Sequence, residues 1–232
     1  MDDVPGSPAA DDARTLVLRL WLPDRPGAIG QVASRIGSVH GDLLAIDILE
    51  RGGGQVVDEL VILVPPSTSD ELLVREVRAV DGVAVEDLRL VDADRRDPAM
   101  AMSEVGAAVA EAAPGEAVDV LCSGLHRALE ADWVAVLDSA AGQGAVVGQA
   151  GSAPDAPWLS AFIDGSGHLA TNEGGGDGGP GDLLRVPMAV SGLTVAVGRE
   201  ARAFHERERA RLRVLARTID KLLASSRALS AP

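Results

Sequence analysis

The chain has 232 residues with 35 acidic and 21 basic side chains, a formal charge of −14 at pH 7. That length exceeds the usual single domain, and 47% hydrophobic content supplies two modest cores. The net field repels phosphate, which argues against non-specific attraction to nucleic acid or anionic lipid. No apolar run approaches the roughly 20 residues of a membrane helix. The acidic start MDDVPGSPAADD lacks the basic and apolar regions of a secretion signal, so a cytoplasmic location is expected. One cysteine, Cys122, excludes an internal disulfide.

Residues 1–13 are rich in Pro, Gly, Ala and Asp and read as a disordered tail. From Leu16, alternation places Leu16, Leu18, Leu20 and Leu22 on one strand face and Thr15, Val17, Arg19 and Trp21 on the other. The run breaks at PDRPG. Ile29, Val32, Ala33 and Ile36 then recur at helical spacing, with Asp24 placed as the cap and Pro26 in the first turn. His40-Gly41-Asp42 follows, where the glycine suits a left-handed stop, and Leu44, Ile46 and Ile48 alternate as a second strand. After ERGGG, Val57, Glu59, Val61 and Leu63 alternate with Val56, Asp58, Leu60 and Ile62 as a third strand, hairpin-paired to the second. Pro65 and Pro66 end it. Thr68 and Glu71 have capping-box spacing ahead of a second helix marked by Leu72, Leu73, Val77 and Val80, and Asp81-Gly82 turns into VAVEDLRLV, a fourth strand. The order is βαββαβ. Two helices on one sheet face leave the other for solvent or a partner, and Val17 and Trp21 there point to a partner.

The stretch LVLRLWLPDRPGAIGQVASRIGSVHGDLLAIDI resembles the opening of an ACT domain, the small βαββαβ module that senses amino acids and other metabolites. The resemblance covers residues 14–91 and implies a ligand site, without catalysis. Its implied site lies between the first turn and the start of the second strand, where two subunits meet. Carried onto this sequence, it comprises Pro23, Asp24, Arg25, Pro26, Gly27, Ala28 and Ile29, with Gly41, Asp42, Leu43 and Leu44 opposite. The helix start offers unpaired N–H groups to a carboxylate, and Gly27 clears the approach. Asp24 or Asp42 is then the partner of an ammonium. Many ligand-binding members carry asparagine after the second glycine, where Asp42-Leu43 stands here. The same residues also make an ordinary capped turn, so a module that only dimerises reads equally well.

Residues 92–115 read as a charged linker with a connector helix, AMAMSEVGAAVAEAA, stopped by Pro114-Gly115. Residues 116–226 resemble a GAF domain, a sensory fold with a central antiparallel sheet flanked by helices. The likeness rests on the helix leading into ADWVAVLD and on VPMAVSGLTVAVGREARAF running into HERERARLRVLARTIDKLL. Residues 227–232 read as a tail. The tract TNEGGGDGGPGD has no following Gly-Lys-Ser/Thr and reads as a loop rather than a phosphate cradle. The Asn-Lys-Phe-Asp-Glu pattern of cyclic-nucleotide members is missing, and redox members use several cysteines. Cys122 sits among apolar helix neighbours and reads as core, while His40, His126, His168 and His205 have no metal-ligand spacing. Arginines at 199–217 alternate with Glu200, Glu206 and Glu208, which reads as salt-bridged helix surface rather than a nucleic-acid face. Leu212, Leu215, Ile219 and Leu222 recur three and four apart as a core stripe or a subunit seam.

No nucleophile-base set or cofactor fingerprint appears, so neither catalysis nor a cofactor or metal is expected. The expected class is α+β, a ferredoxin-like ACT module followed by a GAF-like module. The expected function is a regulatory sensor that binds an amino acid at a homodimer interface and signals to an unidentified protein partner. A non-sensing dimerisation or scaffold protein is the alternative, and an enzyme working through the GAF-like pocket is a third.

Overall fold

A computed structural model describes residues 13–113, 115–138, 145–169, 182–200 and 202–230. The N-terminal tail through residue 12, Pro114 and the glycine-rich tract through residue 181 lie outside the described residues. The chain is α+β and divides into two units, residues 1–95 and 96–232.

In the first unit, β1 (Arg14–Pro23), α1 (Ala28–Ser38), β2 (Asp42–Gly52), β3 (Gln55–Val64), α2 (Asp70–Arg78) and β4 (Ala84–Val91) follow in the expected βαββαβ order. The strands pair antiparallel in the order β2-β3-β1-β4, the ferredoxin-like arrangement. Leu16, Leu18, Leu20 and Leu22 meet Ala28, Val32 and Ile36 of α1 and Leu73 and Val77 of α2 in one core. β2 is an edge strand with register shifts between Leu43 and Ala45 and between Ile48 and Glu50. Along this edge Leu44, Ile46 and Ile48 are exposed by 53%, 48% and 42% while Leu49 is buried.

Three local expectations are corrected. Asp24 does not cap α1: the helix starts after Gly27, which has φ 83° and supplies no side chain, so Pro26 also precedes the helix. Asp24 instead faces Arg51, with 3.4 Å between Oδ2 and Nε. The left-handed stop falls on His40 (φ 62°), and Gly41 is needed for a different reason. A Cβ at Gly41 would stand 2.7 Å from Ile36 Cγ2 and 3.1 Å from its carbonyl oxygen. Ser69, not Thr68, caps α2 by accepting from the Leu72 amide, because Thr68 is turned inward to donate to the Val39 carbonyl at 2.7 Å.

The second unit contains α3 (Pro98–Glu111), α4 (Ala117–Ala128), β5 (Trp133–Asp138), β6 (Ala145–Gly151), α5 (Ala156–Leu169), β7 (Leu183–Met188), β8 (Leu193–Gly198) and α6 (Glu206–Ser230). Its antiparallel sheet runs β6-β5-β8-β7. Leu121, Cys122 and Leu125 of α4 and Leu212, Leu215 and Ile219 of α6 form a core with Val134, Val136, Val195 and Val197. Leu159 of α5 packs with Trp133, Ala135, Leu137 and Ala196 in a separate cluster. The segment expected as a connector is α3, whose Met102, Val105 and Val109 belong to the main core of this unit. Core packing accounts for three of the four stripe residues in α6. Leu222 is exposed and Leu223 is buried in its place. The helix also continues to Ser230, through residues expected as a tail.

Candidate functional site

The expected site residues fall into two groups that one subunit does not bring together. Pro23 through Ile29 form the turn at the Pro23 end of β1, where Pro23 pairs with Gln55 and Gln55 with Gly52 of the edge strand. Gly41, Asp42, Leu43 and Leu44 lie at the other end, since Asp42 pairs with Leu63 and Leu63 with Thr15. From Thr15 to Pro23 the strand spans about 27 Å.

The turn itself has the form a carboxylate needs. Gly27 heads α1 in a left-handed conformation, and an added Cβ there would meet nothing within 4 Å. No side chain caps the helix, and its first turn holds no acidic residue. The Ala28 amide donates to the Arg25 carbonyl at 3.3 Å, and no local carboxylate or hydroxyl faces the positive end of the helix dipole. Asp24, expected as an ammonium partner, has Arg51 against it.

Asp58 was not assigned to the site from sequence. It lies on β3 opposite Leu20 of β1 and Ile48 of β2, on the face that carries Val56, Leu60 and Ile62 into the core. Asp58 is 4% exposed, and its buried Oδ1 has no hydrogen-bond partner. Burial pushes the carboxyl above its ordinary range; Arg51 opposes that shift, while Asp47 and Asp24 add to it. The signal was present in the sequence as one aspartate within an otherwise apolar strand face.

The opposite sheet face carries a second cluster that went unassigned. Arg19 is 1% exposed and donates to Glu59 Oε2 from Nε at 3.2 Å and from Nη2 at 2.7 Å. Arg89 reaches the same oxygen at 3.3 Å and Arg95 reaches Oε1 at 3.0 Å. Trp21 Nε1 donates to Glu86 Oε2 at 2.7 Å, and Arg89 is also held by Asp87. Burial alone would raise the Glu59 carboxyl, but Arg19, Arg89 and Arg95 together hold it below the usual carboxylate range. Val17 is buried and Trp21 half-buried on this face. Arg19 and Glu59 are direct cross-strand partners, and that register is what joins them.

The second unit offers packing and anchoring groups. Cys122 is buried, and burial with the nearby Asp119 pushes its thiol up to about 12, far from a reactive thiolate. Asp220 of α6 accepts from the Val190 amide at 2.9 Å, the Ser191 amide at 2.8 Å and Ser191 Oγ at 2.7 Å. Burial disfavours its charge, but these three donors outweigh that and lower its carboxyl below the usual range. Three arginines of the 199–217 stretch are salt-bridged: Arg199 to Glu208 at 2.7 Å, Arg202 to Glu130 at 2.9 Å, and Arg213 to Glu206. Between α3 and α6 an open groove of about 630 Å³ is lined by residues including Met102, Gly106, Val214 and Leu215. Among the described residues no group of three or more His, Cys, Asp or Glu side chains is placed to hold a metal ion, and no helix is long and apolar enough to cross a membrane.

No family model matches the chain, and neither does any curated protein. Solved structures that resemble it do so distantly. The GAF domain of a phosphoenolpyruvate-protein phosphotransferase from Coxiella burnetii is 18% identical, with a TM-score of 0.41 over 59% of this chain and 100% of that one. A formyltetrahydrofolate deformylase from Pseudomonas putida KT2440 is 16% identical, with a TM-score of 0.27 over 35% of this chain. This chain spans only 30% of the deformylase's length. An unknown protein from Galdieria sulphuraria is 10% identical, with a TM-score of 0.32 over 90% of this chain and 93% of that one.

Proposed function

We propose that the chain is a regulatory small-molecule sensor that binds an amino acid through its ACT-like first unit at a homodimer interface. The GAF-like second unit carries the change to a protein partner. The observation that carries this reading is an uncapped, glycine-headed helix start beside an edge strand whose Leu44, Ile46 and Ile48 are exposed. An edge of that kind is a template for another strand. If the β2 strands of two copies pair antiparallel about a twofold axis, the start of one lies beside the end of the other. The partner's Asp42, Leu43 and Leu44 then come next to Glu50, Arg51 and Gly52, at the Pro23 end where α1 begins. This arrangement rejoins the two groups of site residues that a single subunit keeps apart.

Signalling then follows from differential affinity: an amino acid shifts the subunit arrangement only as far as it prefers one arrangement over another. Isothermal titration against the twenty amino acids, with light scattering on the same sample, tests the reading. The expected result is a dimer that gives saturable heat with at least one of them. A monomer at micromolar concentration, or a folded dimer silent to all twenty, refutes it. The latter result leaves dimerisation without sensing, which the same exposed edge supports.

A further inference from the structure

We infer that Asp58 is the cation-receiving group of the turn site, holding the ammonium of an amino acid whose apolar body lies along Ile46 and Ile48. The inference rests on the sensor reading above and names the ligand class for that site.

A carboxylate at this burial with an oxygen lacking any donor is unfavourable as it stands, and buried polar atoms in folded chains are nearly always paired. Asp58 finds no donor from its cross-strand neighbours, because Leu20 and Ile48 are hydrocarbon. The cation nearby, Arg51, is 61% exposed and directed to Asp24 through its Nε. Such a group is expected where a ligand brings the missing donor.

The two aspartates expected from sequence serve less well. Asp24 already has a cation against it, and Asp42, which only the partner subunit could bring to the turn, is exposed and lacks the burial that makes an unpaired oxygen costly. Asp58, in contrast, pairs with Leu20, three positions before Pro23, and so lies towards the turn end of the sheet on the helix-covered face. A zwitterion placed there meets with its carboxylate a helix start that no side chain caps, where only the Ala28 amide has a turn carbonyl, and with its ammonium the unpaired Oδ1 of a buried carboxyl. Ile46 and Ile48 share the sheet face of Asp58, since they pair with Leu60 and with Asp58 itself, and both are exposed. That surface selects an apolar side chain.

The test uses the full chain as wild type and as Asp58→Asn, an isosteric change. Each protein is titrated with the twenty amino acids and with 3-methylbutylamine, which has the amine and apolar body but no carboxylate. The 2-hydroxy acid counterpart of any amino acid that binds is also titrated. Melting curves without ligand show whether each protein is folded, and Asp58→Asn is expected to melt no lower than wild type because it removes a buried charge. The expected result is an apolar amino acid that binds wild type, with affinity falling roughly 10- to 100-fold in Asp58→Asn and similarly for the 2-hydroxy acid on wild type. Equal affinity of both proteins for an amino acid overturns the role of Asp58 and leaves the sensor intact. Binding of the amine alone, dependent on Asp58, supports the cation site while removing amino-acid sensing. Silence of wild type towards every probe overturns both.

Discussion

Replacing Glu59 by glutamine leaves the shape of the first unit's rear sheet face unchanged and removes the charge that three arginines share. Arg19 is 1% exposed, and its two hydrogen bonds to Glu59 would then end on a neutral amide in place of a carboxylate, while Glu86 lies 3.7 Å away. Removing one side of a buried ion pair typically costs about 3–5 kcal/mol, because the remaining charge is stranded. The Arg89 and Arg95 side chains are 19% and 16% exposed, so water compensates them in part and adds little to that cost. A domain of this size has about 5–10 kcal/mol in all, so the loss is a large fraction of its stability. Urea titration of a Trp133→Phe, Trp158→Phe background leaves Trp21 as the fluorophore, and its indole contacts Glu86 of the same cluster. Glu59→Gln should lower the midpoint of that transition by an amount equivalent to about 3 kcal/mol or more. Arg19→Met with Glu59→Leu should recover much of the loss, since the fully buried charge is removed with its partner while the part-exposed Arg89 and Arg95 reach water. The pH dependence supplies the sign. Glu59 has a folded value below 4.5, so its contribution is fully present above about 4.5 and is lost as pH falls through the lower folded value. Glu59→Gln should flatten that acid slope. A loss under about 1 kcal/mol, or an unchanged slope, would show that the arginines are satisfied without Glu59 and refute the argument.

Two further outcomes follow from single contacts. Gly41→Ala forces a methyl group to within 2.7 Å of Ile36 Cγ2 and should destabilise the first unit by about 1–3 kcal/mol in the same urea titration, whereas Gly27→Ala meets no neighbour and pays only for its backbone conformation. Asp220→Asn weakens three charge-assisted hydrogen bonds to the Val190–Ser191 turn and should cost about 1.5–3 kcal/mol, read by circular dichroism of the second unit's transition. Its carboxyl is lowered on folding, so the cost should be seen above about pH 4 and shrink as acid protonates the wild-type group.

Strand alternation made the first unit legible, because the four leucines from Leu16 to Leu22 recur every second residue and mark the face that meets the helices. What it missed depended on tertiary register. Nothing local ties Arg19 to Glu59, forty positions away, until the antiparallel pairing sets them side by side. Caps failed for a related reason: several residues with capping chemistry crowd each helix start, and the long-range contact of Thr68 with Val39 decides which is free to cap. At the turn, the break after β1 and the helix that follows were readable, but the residue that heads the helix and the charges around it were not. Asp24 stood nearest in sequence, yet Arg51 arrives from the hairpin to occupy it, while Asp58 is carried in from a strand thirty-four positions later. The helix expected to join the two units failed as a linker because its Met102, Val105 and Val109 are apolar on one side and find a core.

The two irregularities in β2 have a bearing on company as well as on shape. Eleven residues from Asp42 to Gly52 are matched by the shorter run from Gln55 to Leu63, so the outer rim is kinked twice. A straight stranger cannot keep step along such a rim, whereas a twin bent at the same places can. Greasy side chains there would ordinarily invite indiscriminate sticking and, with time, fibres. The kinks make the invitation narrow.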